Sequence, residues 1–270
     1  MDALPYIRKF NKKTVVIKYG GSAQENPELR EKFAQDIVLL YLVGIKPVIV
    51  HGGGKKISNL LDKLEFDSHF VDGLRVTDSD AMEVVEMVLG GSINKHITNL
   101  LNQSGAKAIG ITGKDAGFIK AKALNEEKYG LVGEITDIDK SVVEGLINEN
   151  FIPVIAPIAT GGMNHPGFNI NADLAASKIA VALKAQKIIF LTDTAGILDK
   201  DKELISTLNR DEIKTLKENK TITGGMLPKT DACLEALNGG VKSAHIIDGR
   251  IEHSLLLELF TSDGIGTKIK

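Results

Sequence analysis

Thr14-Val-Val-Ile-Lys-Tyr-Gly-Gly-Ser22 decides the fold. Apolar, largely β-branched residues run without alternation into a lysine and then break at paired glycines. That is how a strand covered on both faces ends. Just beyond, Asn26-Pro27-Glu28 supplies a cap, a first-turn proline and an acidic first turn. Phe33, Ile37, Leu40 and Tyr41 follow at helical spacing and predict a helix to about Val43. Pro47-Val-Ile-Val50 reads as the next strand. Gly52-Gly53-Gly54 then turns the chain into a helix bearing Ile57, Leu60, Leu61 and Leu64.

The alternation continues outward. Asp78 is placed to cap a long helical pattern to about Asn102, and Lys107-Ala-Ile-Gly-Ile111 reads as a strand. Phe118-Ile-Lys-Ala-Lys122 and Leu131-Val-Gly-Glu-Ile135 predict hairpins on a sheet edge. Helices are expected near 142–148, 173–184, 211–218, 226–237 and 252–259. Strands are expected at Pro153–Ala156, Lys187–Leu191, Ala244–Asp248 and Gly266–Ile269. This pattern predicts an α/β architecture with a mainly parallel sheet and helices on both faces. No linker divides the chain, so two lobes would share one sheet or a tight seam.

The 270 residues carry a net charge of −2 and are 43% hydrophobic, which excludes a disordered chain. There is no basic excess for gripping nucleic acid. Cys233 is the only cysteine, so an internal disulfide and a cysteine zinc cluster are both excluded. The uncharged run Phe151–Ala172 is broken by Pro153, Pro157 and Pro166 and does not read as a membrane helix. Residues 1–13 carry no apolar stretch of a secretory signal. A cytoplasmic protein is the expectation.

Glycine-rich turns at strand ends suggest phosphate binding. The usual signatures fail, however. Gly54-Lys55 is followed by Lys56 and Gly113-Lys114 by Asp115, neither being a P-loop, and Ile57 stands where a dinucleotide fingerprint needs glycine. The six histidines show no zinc spacing, and no metal site is expected. What remains are strand-end clusters, each open to a plainer reading. Lys18 beside Gly20 and Gly21 is costly in a buried strand unless it faces an anion, or it is a surface lysine before a turn. His51-Gly-Gly-Gly54 exposes backbone N–H groups, or merely turns the chain. Arg75 is suited to a carboxylate, or is solvated. Asn169, Asn171 and Asp173 suit a ligand or a helix cap. Thr192–Leu198 suits a nucleotide or is a βα turn. Lys229 sits one turn into a helix, against the dipole, a conflict typical of functional sites.

In this order the clusters are far more specific. Val16-Ile-Lys-Tyr-Gly-Gly21, Val48-Ile-Val-His-Gly-Gly-Gly54, Gly73-Leu-Arg-Val-Thr77, Asn169-Ile-Asn-Ala-Asp173, Leu191-Thr-Asp-Thr-Ala-Gly-Ile-Leu198 and Gly224-Gly-Met-Leu-Pro-Lys229 resemble the amino acid kinase family. Gly-Leu-Arg-Val-Thr points within it to the members that phosphorylate N-acetyl-L-glutamate in arginine biosynthesis. The resemblance implies a three-layer α/β/α sandwich and transfer of a phosphoryl group from ATP, with Mg²⁺, to the side-chain carboxylate. It implies that Lys18 and Lys229 stabilise the transferring group and that Asp173 holds both. Gly53, Gly54, Arg75, Asn169 and Asn171 would bind the acceptor. Gly20, Gly21, Asp193, Thr194, Gly196, Ile197, Leu198, Thr221, Ile222 and Thr223 would border the nucleotide. Residues 14–172 would form the acceptor lobe and 173–270 the ATP lobe. The physical logic agrees: a carboxylate nucleophile, which ordinarily titrates near pH ~4.3, is already ionised and needs no general base.

Residues 2–10 read as a short helix with an apolar stripe of Leu4, Ile7 and Phe10, too short to stand alone. With the tail 253–267 it resembles the arginine-inhibited branch, in which such helices join dimers into a hexamer. Tyr6, His253, Glu258 and Gly264 are the candidates for L-arginine, and residues 1–13 the assembly segment. A PII-type regulatory protein is a further partner of that branch. Rival readings are a related kinase of a carrier-bound aminoadipate, a silent arginine sensor, and a dinucleotide oxidoreductase.

Overall fold

Eight strands form one sheet through the centre of the computed structural model, which describes residues 3–270. They are β1 (Thr14–Tyr19), β2 (Lys46–His51), β3 (Ala108–Thr112), β4 (Ile152–Ala156), β5 (Lys187–Thr192), β6 (Thr207–Leu208), β7 (Ala244–Asp248) and β8 (Thr267–Ile269). Their order is β6-β8-β7-β5-β1-β2-β4-β3. Every neighbouring pair is parallel except β7–β8.

The apolar run of β1 explains the layers. Val15 and Ile17 point into one hydrophobic cluster and Val16 into the other, all three with no exposed surface. The first cluster is closed by helix Pro27–Leu42, by the helices flanking Met87–Ile93, and by Ser254–Phe260. The second is closed by Lys140–Asn148, Ala172–Ala182 and Met226–Asn238. A mainly parallel sheet between two helical layers is the α/β/α sandwich expected from the sequence. Among the described residues, no helix is long and apolar enough to cross a membrane.

The chain leaves β1 for β2 on one side and later returns to β5 on the other. The order therefore reverses at β1, and the crevice at its carboxyl end is where such folds bind ligands.

One expectation needs correcting, and two helices gain detail. The strands Ile119–Ala123 and Gly133–Ile138 pair with each other as a separate antiparallel ribbon, not as the edge of the main sheet. Half their residues alternate outward, so the ribbon covers a helix layer instead of extending a buried sheet. The long helix after Asp78 contains a π-helical stretch, Met87–Ile93, around Gly90 and Gly91. Two adjacent glycines weaken the ordinary α-helical path. The N-terminal helix spans Leu4–Phe10, and Asp2 lies outside the described residues. Phe10 is buried but Leu4 is 53% exposed, so the apolar stripe is only partly seated.

Asn26 caps Pro27–Leu42 as its sequence suggested, its side-chain oxygen accepting from the N–H groups of Glu28 and Leu29. Asn26→Ala should lower unfolding free energy by about 1 kcal/mol in urea titration. No change would mean the cap contributes nothing to this helix.

Candidate active site

Lys18 is the penultimate residue of β1, and its side chain is 11% exposed. Its Nζ lies 3.0 Å from Oδ1 of Asp173. One ammonium proton suffices for this contact, and the lysine has two more to offer another anion. Lys229 Nζ donates to the other oxygen, Oδ2, also at 3.0 Å. Burial works to raise the Asp173 carboxyl, but Lys18 and Lys229 outweigh it, and the group lies below its ordinary value.

Two helices set this geometry. Asn171 caps Ala172–Ala182 by accepting from the N–H groups of Asp173 and Leu174. Asp173 therefore sits in the first turn, where the dipole favours an anion. Met226–Asn238 packs alongside through small buried residues (Ala176, Ala180, Ala232 and Ala236), and Ser177 Oγ donates to the Ala232 carbonyl at 2.8 Å. This brings Lys229 to Asp173.

A cavity of about 780 Å³ opens beside the pair. Lys18, Gly20, Gly21, Asp173 and Asp193 line one part of it. Gly53, Gly54, Arg75, Asn169 and Asn171 line another. Arg75 is only 6% exposed. Its guanidinium donates to Gly54 O at 2.9 Å, to Ser58 Oγ at 2.7 Å and to Ser68 Oγ, and it lies over the Phe70 ring. Among the described residues no carboxylate lies within ion-pair distance of it; burial lowers the guanidinium below its ordinary value, and the more distant Asp62 opposes that. A buried guanidinium held only by neutral acceptors favours an anionic ligand. Asn169 Nδ2 donates to the buried Thr77 Oγ1 at 3.2 Å, fixing its amide at the cavity wall.

On the β5 side, Asp193 Oδ1 accepts from Ser22 N–H at 2.7 Å. Gly21 has φ +70°, and a Cβ there would fall 2.6 Å from Asp193 Oδ1, so only glycine fits this turn. The rest of the expected nucleotide border is not on the cavity wall. The side chains of Ile197 and Ile222 are buried in the core. Ile197 N–H donates to Thr267 Oγ1 at 2.8 Å, beside Gly196, and Leu198 bridges to Leu204. Thr221 bonds to Asn219. Thr194 and Thr223 likewise lie off the cavity lining.

The arginine candidates fall at the packed N- and C-terminal helices. Both oxygens of the buried Glu258 are engaged, one with His245 Nδ1 and the other with the N–H groups of Ile265 and Gly266. Gly264, at φ +67°, leaves no room for a Cβ against that carboxylate. His253 pairs with Asp36 at 2.6 Å, and Tyr6 packs against the core.

The pattern of the amino acid kinase family matches residues 13–248. The chain belongs to that family. It is 65% identical over 270 residues, all of this chain and 95% of the relative, to acetylglutamate kinase of Sulfurimonas denitrificans. It is 63% identical over its whole length to acetylglutamate kinase of Nitratiruptor sp., covering 95% of that relative. N-acetylglutamate synthase of Neisseria gonorrhoeae, solved with coenzyme A and N-acetyl-glutamate, superposes with TM-score 0.87 at 29% identity. The match covers 99% of this chain and 62% of that longer one. The same synthase solved with coenzyme A and L-arginine gives TM-score 0.84 at 27% identity, over 99% of this chain and 63% of that one. This amino acid kinase is an enzyme, a kinase like the acetylglutamate kinases it matches from end to end.

The sequence reading gave no role to the neutral groups that hold this kinase's candidate site. Ser58 and Ser68 seat Arg75. Gln24 Nε2 donates to the Gly52 carbonyl at 3.2 Å. His51, fully buried, lies between Gly52 and Asn94. Asn94 had a readable signal, being a polar residue on the apolar stripe that includes Ile97 and Leu101.

Burial lowers the His51 ring from 6.5 to about 4, with the Gly52 contact opposing it. The unfolded chain therefore takes up this proton first, and its contribution to folding is lost as pH drops from about 6.5 to about 4. The stability gap between wild type and His51→Asn should narrow over that window in urea titrations. A constant gap would contradict the buried neutral ring.

Proposed function

We propose that this chain transfers the γ-phosphoryl group of ATP to the side-chain carboxylate of N-acetyl-L-glutamate, yielding N-acetyl-L-glutamyl 5-phosphate for arginine biosynthesis. The observation that carries this reading is Asp173 holding Lys18 and Lys229, each at 3.0 Å, beside a cavity that contains an unpaired, buried Arg75.

The obstacle to the reaction is repulsion between an acidic acceptor and a polyphosphate. Arg75 and the Asn169 amide hold the acceptor's anionic end, and Gly53 and Gly54 bring backbone amides to the reacting carboxylate. Phosphoryl transfer is mainly positioning and charge stabilisation. Lys18 approaches from β1 and Lys229 from its helix, so positive charge meets the transferring group from two directions. Asp173 keeps the two ammonium groups from separating without neutralising both. Gly20 and Gly21 fit close approach of a phosphate.

These donors suit phosphate oxygens and not a bare cation. Among the described residues, no group of three His, Cys, Asp or Glu side chains is arranged to hold a metal. Mg²⁺ in this reading arrives on the ATP phosphates and neutralises part of their charge. The nucleotide's remaining border is Thr194–Leu198 and Thr221–Thr223, with Ile197 and Ile222 contributing backbone only. Residues 14–172 then serve the acceptor and 173–270 serve ATP, on one shared sheet.

Feedback inhibition by L-arginine extends the reading. The L-arginine complex of the similar synthase supports it, as does the packing of helix Ser254–Phe260, which carries Glu258, against the N-terminal helix. Assembly through residues 4–10 into a dimer-based hexamer accords with the exposed Leu4.

A coupled ADP-release assay with N-acetylglutamate, glutamate and aspartate, with and without arginine, tests both layers. Turnover with N-acetylglutamate alone is expected, falling when arginine is added. Lys18→Ala and Lys229→Ala should each lower kcat on the order of 10²–10³-fold with little change in KM. Near-normal turnover in either variant would overturn their assignment. Arg75→Lys should raise KM for the acceptor about tenfold while leaving KM for ATP unchanged, because an ammonium cannot replace a two-pronged guanidinium. Equal KM values would remove Arg75 from the acceptor site.

A further inference from the structure

The carbonyl of Gly52 accepts two hydrogen bonds, from His51 Nδ1 at 3.0 Å and from Gln24 Nε2 at 3.2 Å. The first depends on which imidazole nitrogen carries the proton, and Asn94 decides that. Its Nδ2, with two hydrogens, donates to Val154 O at 2.9 Å and to His51 Nε2 at 3.2 Å, with Ile111 O farther off at 3.4 Å. Turning the amide over would set Oδ1 against the two strand carbonyls. The observed orientation instead leaves Asn94 Oδ1 buried without a partner, packed where a Cβ on Gly110 would fall 1.9 Å away. With Nδ2 facing it, His51 Nε2 must accept, so Nδ1 bears the proton and donates to Gly52.

The Gly52–Gly53 peptide is trans, so its N–H points away from its carbonyl. Among the described residues the Gly53 N–H, at the N-cap of helix Gly54–Lys63, has no protein acceptor, and Gly53 lines the cavity. Gly53 cannot shift easily. A Cβ there would meet Ile93 Cδ1 at 2.3 Å and Leu89 Cδ2 at 2.7 Å, both on the π-helical stretch that ends at Asn94. The same stretch thus supports the glycine from one side and starts the hydrogen-bond chain on the other.

We propose that Asn94, His51 and Gln24 are positioning residues that lock the Gly52–Gly53 peptide so that the Gly53 N–H is a preset donor to the reacting anion. The proposal rests on the phosphoryl-transfer reading of this cavity. The chain runs from the carbonyls of β3 and β4 through Asn94 and His51 to Gly52, so the central sheet itself fixes the amide. Such preorganised donors act without reorganising during the reaction.

Two measurements separate this proposal from the reading beneath it. The first needs no substrate: ¹⁵N NMR of histidine-labelled protein, with the His51 signals assigned by their loss in His51→Asn. A bare Nε2 and a protonated Nδ1 at neutral pH are expected. The opposite tautomer, or an imidazolium, would overturn the relay whatever the enzyme's activity. The second is steady-state kinetics with N-acetylglutamate and MgATP. Gln24→Ala and His51→Gln should each lower kcat about tenfold with KM for ATP unchanged. His51→Asn, whose amide can reach the place of Nδ1, should recover most of the kcat lost in His51→Gln. Unchanged kcat in Gln24→Ala and His51→Gln would overturn the proposal, as would equal losses in the Gln and Asn variants. Absence of turnover in the wild type would strike the phosphoryl-transfer reading and leave the tautomer result to judge the relay.

Discussion

One carboxylate shared by two ammonium groups organises this molecule. Asp173 takes Lys18 on one oxygen and Lys229 on the other, and its side chain is only 8% exposed. Two cations this close repel, and a buried carboxylate is costly without partners; each problem resolves the other. The arrangement needs three elements to meet: the middle strand of the sheet and the first turns of two helices. The small residues between Ala172–Ala182 and Met226–Asn238, and the Ser177 hydrogen bond across them, make that meeting possible. The reversal of strand order at β1 provides the open crevice above it.

Around this centre the cavity is built for anions. The Lys18 ammonium has more protons than its pairing with Asp173 uses, Arg75 hydrogen-bonds only to neutral acceptors, and glycines line the wall. None of this requires a general base, and the buried imidazole of His51 is held neutral and bonded on both nitrogens. In the proposed reaction such a site would act by holding reactants together and compensating charge, which is what phosphoryl transfer to a carboxylate demands.

Much of the architecture is legible along the chain because buried parallel strands are long, β-branched runs. Thr14–Tyr19 is read to the residue for that reason. The ribbon of Ile119–Ala123 and Gly133–Ile138 is equally visible as alternation, but alternation does not say which sheet a strand joins. The lysine–aspartate centre is suggested by local conflict: a lysine in a buried strand and another against a helix dipole. The supporting contacts are not local. His51 and Asn94 are 43 residues apart, and Lys229 and Asp173 are 56. Neutral side chains that pin a backbone carbonyl leave no charge pattern to read. Asn171 shows the limit from the other side, since one residue both caps a helix and lines the cavity.

The central claim is that an acceptor carboxylate becomes phosphorylated at the Lys18–Asp173–Lys229 centre. An acyl phosphate is captured by hydroxylamine as a hydroxamate. The most direct test is mass spectrometry of the products formed from N-acetyl-L-glutamate and MgATP in the presence of hydroxylamine. Side-chain hydroxamate should appear in equal amount to ADP and be lost in Lys18→Ala. ADP released without hydroxamate, or hydroxamate formed undiminished in that variant, would contradict it.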